Sequence, residues 1–214
     1  MIREIKLVGQ KMVAYSEVLI CGVLFFLLTG GPILTQAATP SQAASPSQAP
    51  VQKASTSDLF KIPIHNAKGE KMTLEQYQGK PILLVNIATR CGFTPQLKGL
   101  EALHNRYSAR GLVVLGVPSN DFGGQTPEAN EEVLSFCQSN FGVSFPVLEK
   151  VVVKGADKHP LFQQVIAQDP AQAEIKWNFE KFLLGPDGRL VKRFLSAVEP
   201  ESAELTSAIE ALLK

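Results

Sequence analysis

Cysteine is scarce in this sequence, and neither sign of charge is in excess. The three cysteines, Cys21, Cys91 and Cys137, are too few for the disulfide framework of a small secreted scaffold. Because 21 basic residues are balanced by 20 acidic ones, the formal net charge is only +1, and we expect no nucleic-acid partner. The three histidines are scattered without metal-ligand spacing, and no glycine motif for phosphate binding is present. The sequence therefore predicts neither a metal site nor a cofactor.

Apolar runs of membrane-spanning length are also in short supply. The run Val18–Leu28 has 11 residues, whereas a membrane helix needs about 20. It follows several basic residues and precedes a stretch of small residues, a pattern typical of a secretory signal. We predict that residues 1–37 are a signal peptide and that the chain is exported to a periplasm or an equivalent lumen. The alternative is an uncleaved membrane anchor, since an apolar stretch extended to Ala38 just reaches spanning length.

Residues 38–57 have almost no large apolar side chains and consist mainly of Pro, Ser, Ala and Gln. Such a segment cannot bury enough surface to offset the entropy of ordering its backbone, so we predict a linker. Residues 58–214 carry the apolar runs that can build a core, in a chain that is 45% hydrophobic. The prediction is one globular domain, which the linker would tether to a membrane if the N-terminal segment stays uncleaved.

The first half of this domain predicts two buried strands with a helix between them. Pro81–Ala88 and Gly111–Ser119 are continuous apolar runs of strand length, as in the central strands of a covered sheet. Between them, Leu97, Leu100 and Leu103 recur at helical spacing. A strand, a helix and a second strand in this order indicate a right-handed βαβ unit with parallel strands.

The second half predicts a hairpin and a final helix. After a helix over Glu128–Gly142, the segment "KFLLGPDGRLVKRF" has a Pro-Asp-Gly turn between two strand-like runs. Residues 200–214 then place Leu205, Ile209 and Leu212 on one face of a helix. A βαβ half followed by a ββα half is the thioredoxin arrangement. The predicted fold class is therefore α/β, a thioredoxin-like fold with a central mixed sheet flanked by helices.

The stretch "NIATRCGFTPQ" places a single thiol, Cys91, after the first central strand and at the entry to the following helix. Chemistry collects at the carboxyl ends of strands in open α/β sheets. A helix N-terminus also favours the thiolate, which is the reactive form of cysteine. The alternative is that Cys91 is a small buried hydrophobic residue, as free cysteines often are.

Three sequence blocks decide between these alternatives. "NIATRCGFTPQ", "PSNDFGGQTP" and "IKWNFEKFL" resemble, in order and spacing, the signature blocks of the glutathione peroxidase family, in its cysteine type that uses thioredoxin. The resemblance covers the whole of residues 58–214. It implies that Cys91 is the peroxidatic cysteine and that Gln125, Trp177 and Asn178 complete the active site.

The chemistry of peroxide reduction suits these residues. A thiolate must attack one peroxide oxygen, yet a thiol with the usual pKa of about 8.5 is mostly protonated at neutral pH. The amides of Gln125 and Asn178 and the indole N–H of Trp177 are neutral donors that can stabilise a thiolate and orient the leaving oxygen. The product is a sulfenic acid on Cys91, which hydrogen peroxide and organic or lipid hydroperoxides can all generate.

The resemblance also implies a partner for that sulfenic acid. Cys137 lies 46 residues after Cys91 and stands where thioredoxin-using members carry a resolving thiol. A Cys91–Cys137 disulfide would then be reduced by a thioredoxin-like donor, and glutathione is the less favoured reductant. The alternative is that Cys137 is a buried structural thiol. If it does resolve, its helix must shift or unwind, because a disulfide needs Cα atoms within about 7 Å.

Several local departures from the family pattern refine these expectations. Ser119 stands where many members have cysteine, so it cannot act as a second resolving thiol. Asp121 replaces glutamine, and we expect it to point outward or to cap its loop. Arg90 is expected to face solvent. The short stretch before Trp177 lacks the longer loop of tetrameric members, which implies a monomer with an open site.

Two other functions on the same fold are alternatives to a peroxidase. A thiol–disulfide oxidoreductase would need Cys-x-x-Cys, and Thr94 occupies the position of the second cysteine. A redox sensor or relay would use the same two thiols as a peroxidase and pass the oxidation to a partner protein. The sequence argues against the first and leaves the second as the alternative to a peroxidase.

Overall fold

The computed structural model describes the backbone of residues 56–213 and the side chains from residue 58. Its helices are α1 (Thr56–Phe60), α2 (Gln96–Tyr107), α3 (Asn130–Phe141), α4 (Pro160–Gln168) and α5 (Ala203–Leu212). Its strands are β1 (Ile64–His65), β2 (Lys71–Met72), β3 (Ile82–Ile87), β4 (Val113–Pro118), β5 (Lys181–Leu184) and β6 (Leu190–Phe194). The predicted signal peptide and most of the predicted linker lie outside the described residues. No helix within residues 56–213 is long and apolar enough to cross a membrane.

A four-stranded mixed sheet with the order β4-β3-β5-β6 forms the centre of the domain. Strand β3 pairs in parallel with β4 and antiparallel with β5, and β5 pairs antiparallel with β6. Helix α2 connects the two parallel strands. Every residue of β3 and β4 is buried, which explains why both read as continuous apolar runs rather than alternating ones.

The two faces of the sheet bury separate groups of side chains. On one face, Leu83, Val85 and Ile87 of β3 pack with apolar residues of α2, α3 and α5. On the other face, Ile82 and Leu84 pack with residues of α1 and α4. Because neighbouring strand residues point to opposite faces, one apolar run supplies both cores. The central mixed sheet flanked by helices is therefore confirmed, as are the predicted βαβ and ββα halves.

Three parts of the fold differ from the sequence prediction. Helix α1 begins two residues before the predicted domain start. The two-residue strands β1 and β2 pair outside the main sheet and carry too short a pattern to be recognised. Helix α4 was not predicted, although His159 caps it by accepting a hydrogen bond from the Leu161 N–H and Pro160 occupies its first turn. A proline at a helix start followed by apolar residues at helical spacing is the signal that could have revealed it.

Strand β4 contains a glycine, Gly116, whose neighbours leave little room for a side chain. A Cβ atom at Gly116 would lie only 3.0 Å from Ile87 Cδ1 and 3.2 Å from Phe145 Cε2. Both neighbours are buried in the same core. The close approach of these two side chains therefore depends on the absence of a Cβ at this position.

We predict that Gly116→Ala lowers the free energy of unfolding by about 1–3 kcal/mol, because overpacking a filled core forces side chains or backbone to move. Urea unfolding followed by circular dichroism measures the change. Gly92→Ala is the matched control, since a Cβ there meets nothing within 4 Å, and it should leave the free energy within about 0.5 kcal/mol. Equal stability of the Gly116→Ala protein and the wild type would contradict the packing argument.

Candidate active site around Cys91

Cys91 lies in the turn between the end of β3 and the start of α2, as the sequence predicts. The Phe93 N–H donates to Cys91 Sγ at 3.5 Å. The Cys91 N–H donates to Thr94 Oγ1, and the Thr94 hydroxyl donates to the Ala88 carbonyl, both at 3.0 Å. The side chain of Thr94 thus bonds to both the Cys91 and the Ala88 backbone and stabilises the turn. Cys91 is 8% exposed, so the residue is buried in the core but retains some contact with solvent.

The loop after β4 brings Gln125 against this turn. The Gln125 carbonyl accepts a hydrogen bond from the Arg90 N–H at 2.9 Å, and Thr89 Oγ1 lies 3.1 Å from the same oxygen. Gly123 and Gly124 have φ values of +66° and +64°, which other residues rarely adopt. Two consecutive left-handed glycines therefore turn the chain so that Gln125 reaches the residues directly before the thiol.

A second loop, between α4 and β5, carries the other predicted members. Asn178 is fully buried, and its Nδ2 donates to Gln125 Oε1 at 3.0 Å. Strand β3 holds this loop because Asn86 Nδ2 donates to the Trp177 carbonyl at 3.1 Å and the Asn86 carbonyl accepts from the Phe179 N–H. Phe179 has φ of +65°, an uncommon value for a residue with a side chain. The Asn86 hydrogen bonds stabilise this bend.

Trp177 presents its ring differently from the buried asparagine beside it. The residue is 40% exposed, and its ring lies 5.8 Å from that of Phe122, centroid to centroid. The Phe122 ring in turn faces Lys154 Nζ at 4.8 Å. An exposed tryptophan on an aromatic neighbour provides an apolar surface on the outside of the domain.

The structure thus joins Gln125 and Asn178 directly, and it ties the Gln125 loop to the Thr89–Arg90 turn and the Asn178 loop to β3. Among the described residues, no hydrogen bond to Cys91 Sγ comes from Gln125, Trp177 or Asn178. Asn178 bonds to Gln125 Oε1, and within residues 58–213 the Nε2 group of Gln125 makes no hydrogen bond, so it is able to donate to a sulfur or a peroxide. The catalytic roles of these residues remain predictions.

Cys137 occupies a contrasting environment. It lies in α3, is 1% exposed and is not in a disulfide, and it belongs to the same apolar core as Cys91. Burial raises the pKa of the Cys137 thiol to about 12. In this reduced state Cys137 is therefore a protonated thiol inside the core. Its resolving role, and the movement of α3 that this role is expected to need, stay predictions.

The structure also shows the surroundings of three neighbouring residues, Asp121, Arg90 and Ser119. Asp121 was expected to point outward or to cap its loop; instead its carboxylate accepts the Val153 N–H at 2.6 Å and so bonds to a separate segment 32 residues along the chain. Arg90 is confirmed as solvent-facing, and its Nε donates to Glu128 Oε1 at 2.8 Å. Ser119 is fully buried. No group of His, Cys, Asp and Glu side chains within residues 58–213 could hold a metal ion.

Sequence reasoning missed three residues that support the site, namely Asn86, Thr89 and Glu128. Asn86 and Thr89 are polar residues at the end of an apolar strand and are buried. Buried polar groups need hydrogen-bond partners, so an asparagine inside such a run was a signal that another segment must meet it there. Glu128 had no comparable signal, because a carboxylate near a helix start is common.

Comparisons with known proteins agree with this geometry. The profile of the glutathione peroxidase family matches residues 59–166. The chain is also 42% identical over 161 residues to the glutathione peroxidase-like peroxiredoxin HYR1 of Saccharomyces cerevisiae, an alignment that covers 74% of this chain and 98% of the relative. The chain belongs to the glutathione peroxidase family. It is therefore a peroxidase, an oxidoreductase, and it is of the cysteine type because position 91 carries cysteine.

Two further matches extend this result. The chain is 45% identical over 153 residues to the hydroperoxy fatty acid reductase gpx1 of Synechocystis sp., covering 68% of this chain and 89% of that protein. The solved structure of a thioredoxin-family thiol:disulfide interchange protein from Chlorobium tepidum matches with a TM-score of 0.54 at 14% identity, covering 72% and 93% of the two chains. At that identity the second match speaks only for the fold, and it confirms the predicted thioredoxin-like architecture.

We predict that iodoacetamide at pH 8 modifies Cys137 about a thousandfold more slowly in the native reduced protein than in urea. A pKa of about 12 leaves very little thiolate at that pH, and burial further hinders access. Mass spectrometry of tryptic peptides distinguishes Cys137 from the other cysteines. The Cys91 peptide of the same sample is the internal control and should be modified faster. Equal rates for Cys137 in folded and unfolded protein would contradict this account of its environment.

Proposed function

We propose that this protein is a thiol peroxidase in which Cys91 reduces hydroperoxides and a thioredoxin-like donor regenerates the enzyme. The observation that carries the proposal is the bond between Asn178 Nδ2 and Gln125 Oε1, in a loop that also bonds to the residue before Cys91. This arrangement brings neutral donors from distant parts of the chain to the turn that carries Cys91, which supports the proposal. Neutral donors can stabilise developing negative charge without competing for the proton.

In the first step, the Cys91 thiolate attacks one oxygen of the peroxide. A sulfur–oxygen bond forms, the oxygen–oxygen bond breaks, and the second oxygen leaves with the electron pair and takes up a proton. Cysteine is thereby oxidised to the sulfenic acid, and the peroxide is reduced to water or an alcohol. The Nε2 group of Gln125 and the Trp177 indole N–H are the donors proposed to stabilise the sulfur or the leaving oxygen.

In the second step, the Cys137 sulfur attacks the sulfenic acid and releases water, which leaves a Cys91–Cys137 disulfide. A dithiol donor of the thioredoxin type then reduces this disulfide by exchange through a mixed disulfide. Cys137 is buried in α3, so the attack requires that helix to open locally. The polar sequence that follows Cys137 and the left-handed Gly142 that ends α3 favour opening from this end.

The substrate class proposed is broad. Cys91 retains some contact with solvent, and the exposed Trp177 ring adds apolar surface. These features favour access for organic and lipid hydroperoxides as well as hydrogen peroxide. The relative from Synechocystis sp., which is named as a hydroperoxy fatty acid reductase, supports the same substrate class.

We expect Cys91→Ser to abolish peroxide consumption, because the nucleophile is lost. Cys137→Ser should still reduce one equivalent of peroxide but stall with thioredoxin, since no disulfide can form. Steady-state assays with thioredoxin and with glutathione, run side by side, test both variants and identify the reductant. Cys21→Ser, outside the predicted domain, is the control and should keep full activity. Undiminished turnover of Cys137→Ser would remove that residue from the mechanism.

The second candidate function is a redox sensor or relay that hands the oxidation to a partner protein. The buried state of Cys137 favours a relay as much as a peroxidase, because opening of the helix on oxidation would change the protein surface. Steady turnover of peroxide with purified thioredoxin alone supports the enzyme. A single turnover that continues only when a partner protein is added supports the relay.

We also propose that the protein is exported as a monomer, with residues 1–37 either removed or retained as a membrane anchor. The basic residues and apolar run at the N-terminus support this location, and the short segment before Trp177 supports the monomer. N-terminal sequencing of the protein from soluble and membrane fractions should find a mature start near residue 38. A start at Met1 in the membrane fraction would favour the anchor, and a start at Met1 in a cytosolic fraction would contradict export.

A further inference from the structure

Glu128 binds both of the residues that precede Cys91. Its Oε2 accepts a hydrogen bond from the Thr89 hydroxyl at 2.6 Å, and its Oε1 accepts one from Arg90 Nε at 2.8 Å. The Thr89 hydroxyl has only one proton to donate, and it has two possible acceptors. The Glu128 oxygen is charged and nearer, so it is a stronger acceptor than the Gln125 carbonyl 3.1 Å away. A single carboxylate thus holds two consecutive residues of the turn that presents the thiol.

The same carboxylate belongs to the loop that carries Gln125, three residues earlier in the chain. The Gln125 carbonyl accepts from the Arg90 N–H, so the loop is joined to the Cys91 turn at two points. From the other side, Lys150 Nζ donates to the carbonyls of Thr126 and Glu128, at 3.1 and 2.7 Å. The segment between Gln125 and Glu128 is therefore fixed by contacts on both sides.

The ionised form of Glu128 is the one that fits these contacts. Burial disfavours the charge, but the hydrogen bonds from the Thr89 hydroxyl, the Glu128 backbone N–H and Arg90, together with the charge of Arg90, hold the pKa of Glu128 below its usual value. A carboxylate offers two acceptor oxygens for the two donors. A glutamine at this position would offer one acceptor and one amide donor, so it could satisfy only one of them.

We infer that Glu128 is a positioning residue, which sets the side chain of Gln125 relative to the Cys91 sulfur by clamping the Gln125 loop to the Thr89–Arg90 turn. Glu128 itself touches neither the thiol nor the substrate in this account. The inference rests on the proposed function, in which Gln125 stabilises the reacting atoms. Any effect of Glu128 on the reaction rate should therefore require the side chain of Gln125.

A double-mutant cycle tests this dependence in the full chain. The measurement is the second-order rate constant for oxidation of the prereduced protein by hydrogen peroxide in a single turnover, which does not depend on the reductant. Glu128→Ala should lower this constant about tenfold, because small misplacements of a catalytic group are costly. In a Gln125→Ala background, the same substitution should change the constant by less than about twofold, since nothing remains to be positioned.

Two further variants keep the test decisive. Glu132→Ala is the matched control, because Glu132 is exposed and accepts only the Ala129 N–H at the start of α3. It should leave the rate constant within about twofold of the wild type. If Glu128→Ala does not fold, Glu128→Gln replaces it in the cycle and should show a smaller loss that also vanishes in the Gln125→Ala background.

The outcomes separate the inference from the proposed function. If Gln125→Ala lowers the rate but Glu128→Ala does not, the role of Glu128 is wrong and the peroxidase mechanism stands. If the two losses multiply in the double variant, Glu128 acts independently of Gln125, and the inference is overturned. If Gln125→Ala keeps the wild-type rate while Cys91→Ser is inactive, the proposed role of Gln125 fails, and that of Glu128 fails with it.

Discussion

The hydrogen bond from Asn178 to Gln125 joins two segments that lie 53 residues apart in the chain. The Gln125 segment is also bonded to the turn before the thiol, through the Arg90 N–H, and the Asn178 segment is bonded to the strand that leads to this turn, through Asn86, which binds the Trp177 carbonyl. Buried polar groups left without partners cost about 1–3 kcal/mol each. The three segments therefore stabilise one another, and the geometry of the active site depends on all of them meeting at the end of one strand.

The segment before the tryptophan has neither helix nor strand, and one arginine of β6 holds it in place. Arg193 donates to the carbonyls of Ala173 and Glu174 and pairs with the carboxylates of Asp169 and Glu180. A guanidinium group suits this task because its donors point in fixed directions within one plane. The positions of Trp177 and Asn178 thus depend on a strand at the edge of the sheet as well as on the central one.

Much of the fold could be predicted because the two central strands are buried on both faces and therefore read as unbroken apolar runs. The position of Cys91 followed from its place between such a run and a helix. The contact between Gln125 and Asn178 could not be derived in the same way, because it depends on backbone turns at Gly123, Gly124 and Phe179 that no periodic pattern encodes. The resemblance to a family predicted those residues, and the folded structure shows the hydrogen bond between them.

The burial of Cys137 has a consequence for how the oxidation state is communicated. In the proposed mechanism, this thiol inside the core forms a disulfide with Cys91 through local opening of the helix that carries it. The reduced and oxidised proteins would then differ in shape and not only in one covalent bond. A reductant that recognises the loosened helix would bind the oxidised protein and release the reduced one, so the same local opening that permits the chemistry would also give the exchange its direction.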